Sequence, residues 1–270
     1  MPRLSRWALW VGVVLLLFMS LLRILFFYYF NPRDLSITEM LPSFWMGFRF
    51  DLRAAGIVML IMLVSGLIRY SHPFRNHNGA KGWMLLLWFL SLAVIFFYVV
   101  DFAHYAYLSQ RLNASVLGYL EDTSISAEMV WQSYPVIRLF LLIFLLATGL
   151  FYMFRMGFKK IKRRTEPSFS LRRRVAFSTV YTLCCVFFIF GRLNQYPLRW
   201  SDAFRMGSDY QANLALNPFE SFFNTIRYRG KSFDMNTVRQ SYLPLSKYYG
   251  YDPSGADKLD YTRSVIADTL

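Results

Sequence analysis

The chain has 270 residues, of which 56% are hydrophobic and 19% aromatic, while charged residues are held to 17%. Soluble domains usually carry about a quarter charged residues, so the balance excludes an ordinary soluble globule and points to lipid. The formal net charge of +14 would suggest nucleic acid in a soluble protein, but the positive residues lie between hydrophobic runs, so no nucleic-acid partner is expected.

A helix needs about 20 apolar residues to cross a bilayer core. Five runs meet or approach this, and they predict an all-α integral membrane protein with spans at about 7–30, 44–68, 83–100, 136–154 and 175–191. The first is broken only by Arg23, the second is charged only near its start, and the third carries no charge. The fourth has Arg138 at its beginning, and the fifth is the shortest. The first run is too long for a signal peptide and leads into FFYYFNPRD rather than a small-residue cleavage site, so a retained anchor is expected. Cys184 and Cys185 sit side by side in the fifth run without metal-ligand spacing and read as small core hydrophobes.

Positive residues in short loops set orientation. The segment 155–174 holds Arg155, Lys159, Lys160, Lys162, Arg163, Arg164, Arg172, Arg173 and Arg174 against the single acid Glu166. The loop 69–82 holds Arg69, Arg75 and Lys81 with no acid, and Arg3 and Arg6 precede the first span. The intervening loops carry only Arg33, and Arg111 against Asp101, Glu121, Asp122 and Glu128. This asymmetry predicts a cytoplasmic N-terminus and an outside tail from Arg192 onward. In that position KKIKRR and LRRR read as topology determinants with affinity for anionic lipid.

Within this frame Arg23, Arg49, Asp51, Arg53, Asp101, Arg138 and Arg192 all fall in the outer half of the membrane. Charges in a span are costly unless paired, hydrated or snorkelled, which makes them functional candidates. Arg49 and Arg53 share one helical face, while Asp51 points about 200° round and invites a cation such as Arg23. Two readings stand side by side. The arginines could hold the phosphate of an anionic lipid headgroup, for which guanidinium forks are suited. Alternatively the charges pair or snorkel to fix helix packing.

After Arg192 the chain becomes polar and rich in turns. Leu214, Leu216, Phe219, Phe222, Phe223 and Ile226 form an apolar stripe broken at Asn217-Pro218, where proline can open a second helix. Two short amphipathic helices on the outer membrane face are expected, followed after Gly230 by a turn-rich linker. The chain thus divides into a five-span domain, 1–191, and an extracytoplasmic segment, 192–270.

Three stretches give the sequence a likeness: GFRFDLR (47–53), DFAHYAYLSQRLNASVLGYLEDT (101–123), and GRLNQYPLRWSDA (191–203) followed by LALNPFESFFNTIR (214–227). With these the chain resembles the N-terminal membrane region of lipoteichoic-acid-synthase-like proteins, the membrane-bound branch of the alkaline phosphatase and sulfatase superfamily. The resemblance implies a bacterial inner membrane location and five spans anchoring a large extracytoplasmic domain. There a metal-dependent threonine or serine nucleophile moves phosphoglycerol, phosphoethanolamine or a related group. That catalytic domain is expected downstream or as a separate partner, and a divalent metal is expected only within it.

The residues themselves agree on the absence of chemistry here. His72 and His77 lie in a loop without acids, His104 neighbours only Asp101, and no G-x-S-x-G, phosphate-cradling loop or zinc spacing occurs. The expected role is a membrane anchor and lipid-presenting module without a catalytic site or cofactor of its own. The alternatives are a small transporter, against which the lack of repeats and the one-sided charges argue, and an interaction or assembly protein.

Overall fold

The computed structural model describes residues 2–31, 35–120, 123–164, 170–227, 234–253 and 259–262. Arg33, Glu121, Asp122, Glu166 and the predicted Ser254-Gly255 turn lie outside the described residues. Among the described residues the structure is helical and has no strand.

Five long helices follow the apolar runs: α1 (Arg3–Phe30), α2 (Ile37–Ser65), α3 (His77–Leu108), α5 (Val136–Arg163) and α6 (Leu171–Phe190). A short α4 (Thr123–Ser133) precedes α5, and α7 (Asp209–Ala215), α8 (Pro218–Ile226) and α9 (Met235–Tyr249) complete the set. Helix ends depart from the apolar runs where local chemistry overrides hydropathy. Ser36 and Glu39 form a reciprocal capping box, 3.3 Å and 3.1 Å, that starts α2 ahead of its apolar stretch. Asn76 caps α3 by accepting from Asn78 N at 3.0 Å, and α3 runs past Asp101 to a left-handed Ser109. The basic segment is not a plain loop, because α5 continues through Lys159, Lys160 and Lys162 to Arg163. Cations in a last helical turn complement the carbonyl-rich end. Arg155 and Arg164 are exposed, as are Arg172 and Arg173 at the start of α6, while the side chain of Arg174 lies outside the described residues.

Among the described residues three helices, α1, α3 and α5, are long and apolar enough to cross a membrane. α2 has 29 residues but contains Glu39, Arg49, Asp51 and Arg53, and α6 has 20 residues and begins with arginines. The burial pattern differs from that of a water-soluble bundle in its buried charges and its exposed apolar surface. Arg23, Asp51, Asp101 and Arg111 are buried, whereas Leu17, Phe89, Phe140, Leu141, Leu145 and Leu183 stand exposed. Large contiguous apolar surface of this kind is what lipid covers.

The long helices alternate in direction. At one end Trp7 meets Phe74, Trp83 and Phe158 edge-on at 5.9, 6.2 and 5.0 Å, and its Nε1 donates to Phe154 O at 3.3 Å. Trp10 donates to Met153 O at 2.9 Å and Arg3 to Arg164 O at 2.7 Å. The start of α1, the 66–76 turn and the end of α5 therefore share one end. At the other end Phe26, Phe27, Met40, Tyr105, Tyr210 and Leu214 make a second core. α6 packs along α2, with Cys185 buried there, whereas Cys184 is exposed rather than in the core.

The chain forms two compact units, Met1–Ile226 and Arg227–Leu270. Residues 192–226 belong to the first unit, bonded to its long helices through Arg23, Arg53 and Arg111. In the second unit Asp234 caps α9, and Tyr242 is buried among Tyr251 and Tyr261, its hydroxyl donating to Asp252 O at 2.9 Å and to Asp260 O.

Candidate functional site, a buried ion-pair layer

Arg23 leaves α1 at the Phe30 end of the bundle. Its Nη2 donates to Asp51 Oδ1 at 2.7 Å and to Gly47 O at 3.0 Å, both on α2. Its Nη1 donates to the carbonyls of Leu214, Ala215 (2.7 Å) and Leu216 (3.3 Å). These carbonyls end α7 and have no partner within the helix, so they carry its negative dipole end.

A second arginine closes on the same stretch of chain, sharing the Leu216 carbonyl. Arg111, just beyond α3, pairs with Asp101 Oδ2, while Asp101 Oδ1 accepts from Leu112 N at 2.9 Å. Arg111 Nε donates to Asn213 O at 2.9 Å and its Nη2 donates to Leu216 O. Its guanidinium also lies 4.0 Å over the ring of Phe26. A cation over a desolvated aromatic face adds attraction of about 2 kcal/mol. Residues 213–216 are thereby held between two arginines, each neutralised by an aspartate of a different long helix.

The layer continues through α8. Asn217 Nδ2 donates to Asp51 Oδ1 at 3.0 Å, and its Oδ1 caps α8 by accepting from Glu220 N at 2.9 Å. Glu220 pairs with Arg53 at 2.8 Å. Burial pushes the Glu220 carboxyl above its ordinary range, and the Arg53 guanidinium pulls it partly back. Arg53 also donates to Ile189 O at 2.9 Å and to Leu198 O, while Arg49 donates to Gly191 O through Nε at 2.7 Å and through Nη2. The Ile189 and Gly191 carbonyls end α6, where Gly191 takes the left-handed φ of 72° that closes a helix. Arg192 and Arg205 reach Asp202 at 3.2 and 3.7 Å.

Buried ion pairs rarely add net stability over apolar packing, but losing one partner leaves a charge that costs about 3–5 kcal/mol. The layer therefore specifies one arrangement rather than simply adding strength. Its satisfaction is incomplete. Asp51 Oδ2, Arg23 Nε and the Tyr98 hydroxyl are buried without a hydrogen-bond partner among the described residues.

Of the seven charges singled out from sequence, the structure brings Arg23, Arg49, Asp51, Arg53, Asp101 and Arg192 to this end. Arg138 stands apart, exposed in the first turn of α5 and in no ion pair among the described residues. Arg49 and Arg53 do not line an open cleft; they are partly buried and spend donors on helix-end carbonyls. Asp101 pairs with Arg111 rather than His104, whose Nδ1 bonds Gln110 O at 2.9 Å. Leu214 and Leu216, expected on the membrane face, are buried, because α7 inserts its end between the arginines. Arg111, Asn217 and Glu220 were not anticipated; the Asn-Pro-Phe-Glu run was the readable trace of the α8 cap. Among the described residues no group of three or more His, Cys, Asp or Glu could hold a metal. No family model matches the chain, and neither a curated protein nor a solved structure matches it.

Proposed function

We propose that the chain is the polytopic membrane anchor of an envelope-building transferase of the lipoteichoic-acid-synthase-like kind, sitting in a bacterial inner membrane. In this reading α1, α2, α3, α5 and α6 all span, the Trp7 end and its basic segments face the cytoplasm, and residues 192–226 lie outside. The partly exposed Arg49 and Arg192 present the phosphate of an anionic lipid headgroup to a catalytic domain supplied downstream or by a separate chain. The observation that carries the reading is the interlock itself. The stretches that bear the family likeness are the ones that contribute Gly47, Asp51, Arg53, Asp101, Arg111, Gly191, Leu198 and residues 214–220 to the layer. Such an interlock suits an element that must hold an attached domain at a set height over the bilayer.

Native mass spectrometry of the chain released from phosphatidylglycerol-containing nanodiscs tests the lipid part. Arg192→Gln, which removes a partly exposed guanidinium at the layer's rim, should lower retained phosphatidylglycerol about tenfold. Unchanged retention leaves packing as the whole role of these charges. Single-cysteine labelling at Ser201 and at Ser170 tests the topology, with Ser201 expected to react from outside intact cells and Ser170 only after lysis.

A further inference from the structure

The opposite end of the bundle holds a second cationic feature, independent of the ion-pair layer and of any family reading. The turn between α2 and α3 surrounds a cavity of about 520 Å³ lined by Arg69, Tyr70, Arg75 and Asn76. The turn is built rather than loose. Asn76 Nδ2 donates to Tyr70 O at 2.9 Å, and Arg75 N donates to His72 O at 3.3 Å. Trp83 Nε1 reaches back from α3 to Ser71 O at 3.1 Å.

The electrostatics of this cavity have one sign. Residues 66–82 contain Arg69, Arg75 and Lys81 and no aspartate or glutamate. Neither arginine makes an ion pair among the described residues, although every cation of the opposite layer named above has an acid or a carbonyl. The N-terminus of α3, a helix of 32 residues capped by Asn76 of the cavity wall, adds its positive dipole end. The volume falls within the range of small-ligand sites, about 300–1,000 Å³. Two guanidinium forks on a fixed turn suit an anion with several oxygens.

We propose that this cavity is a binding site for a phosphate-bearing anion, held by Arg69 and Arg75. The shared chemistry fits either the phosphodiester of an anionic lipid in the adjoining leaflet or free phosphate. The source is separated by probe.

The full chain in detergent is titrated with inorganic phosphate, and separately in nanodiscs with phosphatidylglycerol or phosphatidylcholine, while arginine modification by phenylglyoxal is read by mass spectrometry. Protection of Arg69 and Arg75, but not of Arg172 and Arg173, by phosphatidylglycerol alone supports the site with lipid as ligand. The same protection by inorganic phosphate supports it with the free anion. Equal protection of all four arginines, or of none, overturns it. The double variant R69Q/R75Q should lose roughly tenfold or more in affinity for the protecting probe, while the charge-matched R172Q/R173Q should change it less than about twofold. Equal losses in the two variants would reduce the effect to general attraction and overturn the proposal.

Discussion

Arg23 and Asp51 meet at 2.7 Å with side chains 3% and 0% exposed, and they join α1 to α2 while both also reach the chain at 214–217. A pair so placed should show strong coupling. Arg23→Met or Asp51→Leu alone should each cost about 3–5 kcal/mol, and the double variant clearly less than their sum. Unfolding in mixed micelles, followed by tryptophan fluorescence, provides the measurement. Additive losses would mean that the two residues act separately.

Gly47 is where α2 lets the Arg23 guanidinium pass. A methyl group there would collide with its Cζ, Nη1 and Nε, and the guanidinium is anchored through Nη2 to α2 and through Nη1 to the end of α7. Gly47→Ala should therefore destabilise the bundle by about 1–3 kcal/mol, the usual cost of overpacking. Gly149→Ala on α5, where a Cβ meets nothing within 4 Å, serves as the control and should be neutral or slightly stabilising. Similar melting shifts for both would refute the role assigned to the close approach.

The attachment of α8 should depend on pH through Glu220. Its carboxyl titrates above its ordinary value near 4.5 because burial outweighs the attraction of Arg53. A folded pKa above the unfolded one makes the contribution fullest below the unfolded value, and it is lost as pH rises through the folded value. Hydrogen exchange over 218–226, corrected for intrinsic rates, should show α8 opening more readily above that window than below it. Glu220→Gln should flatten the profile, and a profile unchanged by the variant removes Glu220 as its source.

Asp234 predicts the opposite sign in the second unit. Its carboxylate accepts from Thr237 Oγ1 at 2.6 Å and from Asn236 N at 3.1 Å, which lowers its pKa from 3.8. The cap is present above that ordinary value and is lost as pH falls through the folded one. Asp234→Ala should raise exchange in the first turn of α9 at neutral pH, and acid should have no further effect on the variant. Exchange at 235–238 that is insensitive to the substitution would show that the cap does not hold this helix.

The helices and the buried charges were legible because each is a property of residue type along one element. Apolar runs locate the five long helices, and the roughly 200° between Asp51 and its flanking arginines separates their partners on α2. What the sequence hid is what the arginines bind. Arg23 and Arg111 hold carbonyl oxygens of residues 213–216, and a carbonyl is the same whatever the side chain. Arg111 read as a loop charge because its aspartate stands a few turns back on α3 and its other acceptors lie 102 and 105 residues ahead. Arg138 differs from the other six, being exposed and in no ion pair among the described residues.

The separation along the chain also sets an order of events during synthesis. Arg23 finds Asp51 after 28 residues, but its carbonyl acceptors on α7 emerge 191 to 193 residues behind it. Until then the Arg23 guanidinium, paired with Asp51, has donors still unfilled. A segment made late in the chain is therefore the one that completes a charge placed near its start, and a nascent chain halted before residue 214 would expose a half-satisfied guanidinium for quality-control proteases to find.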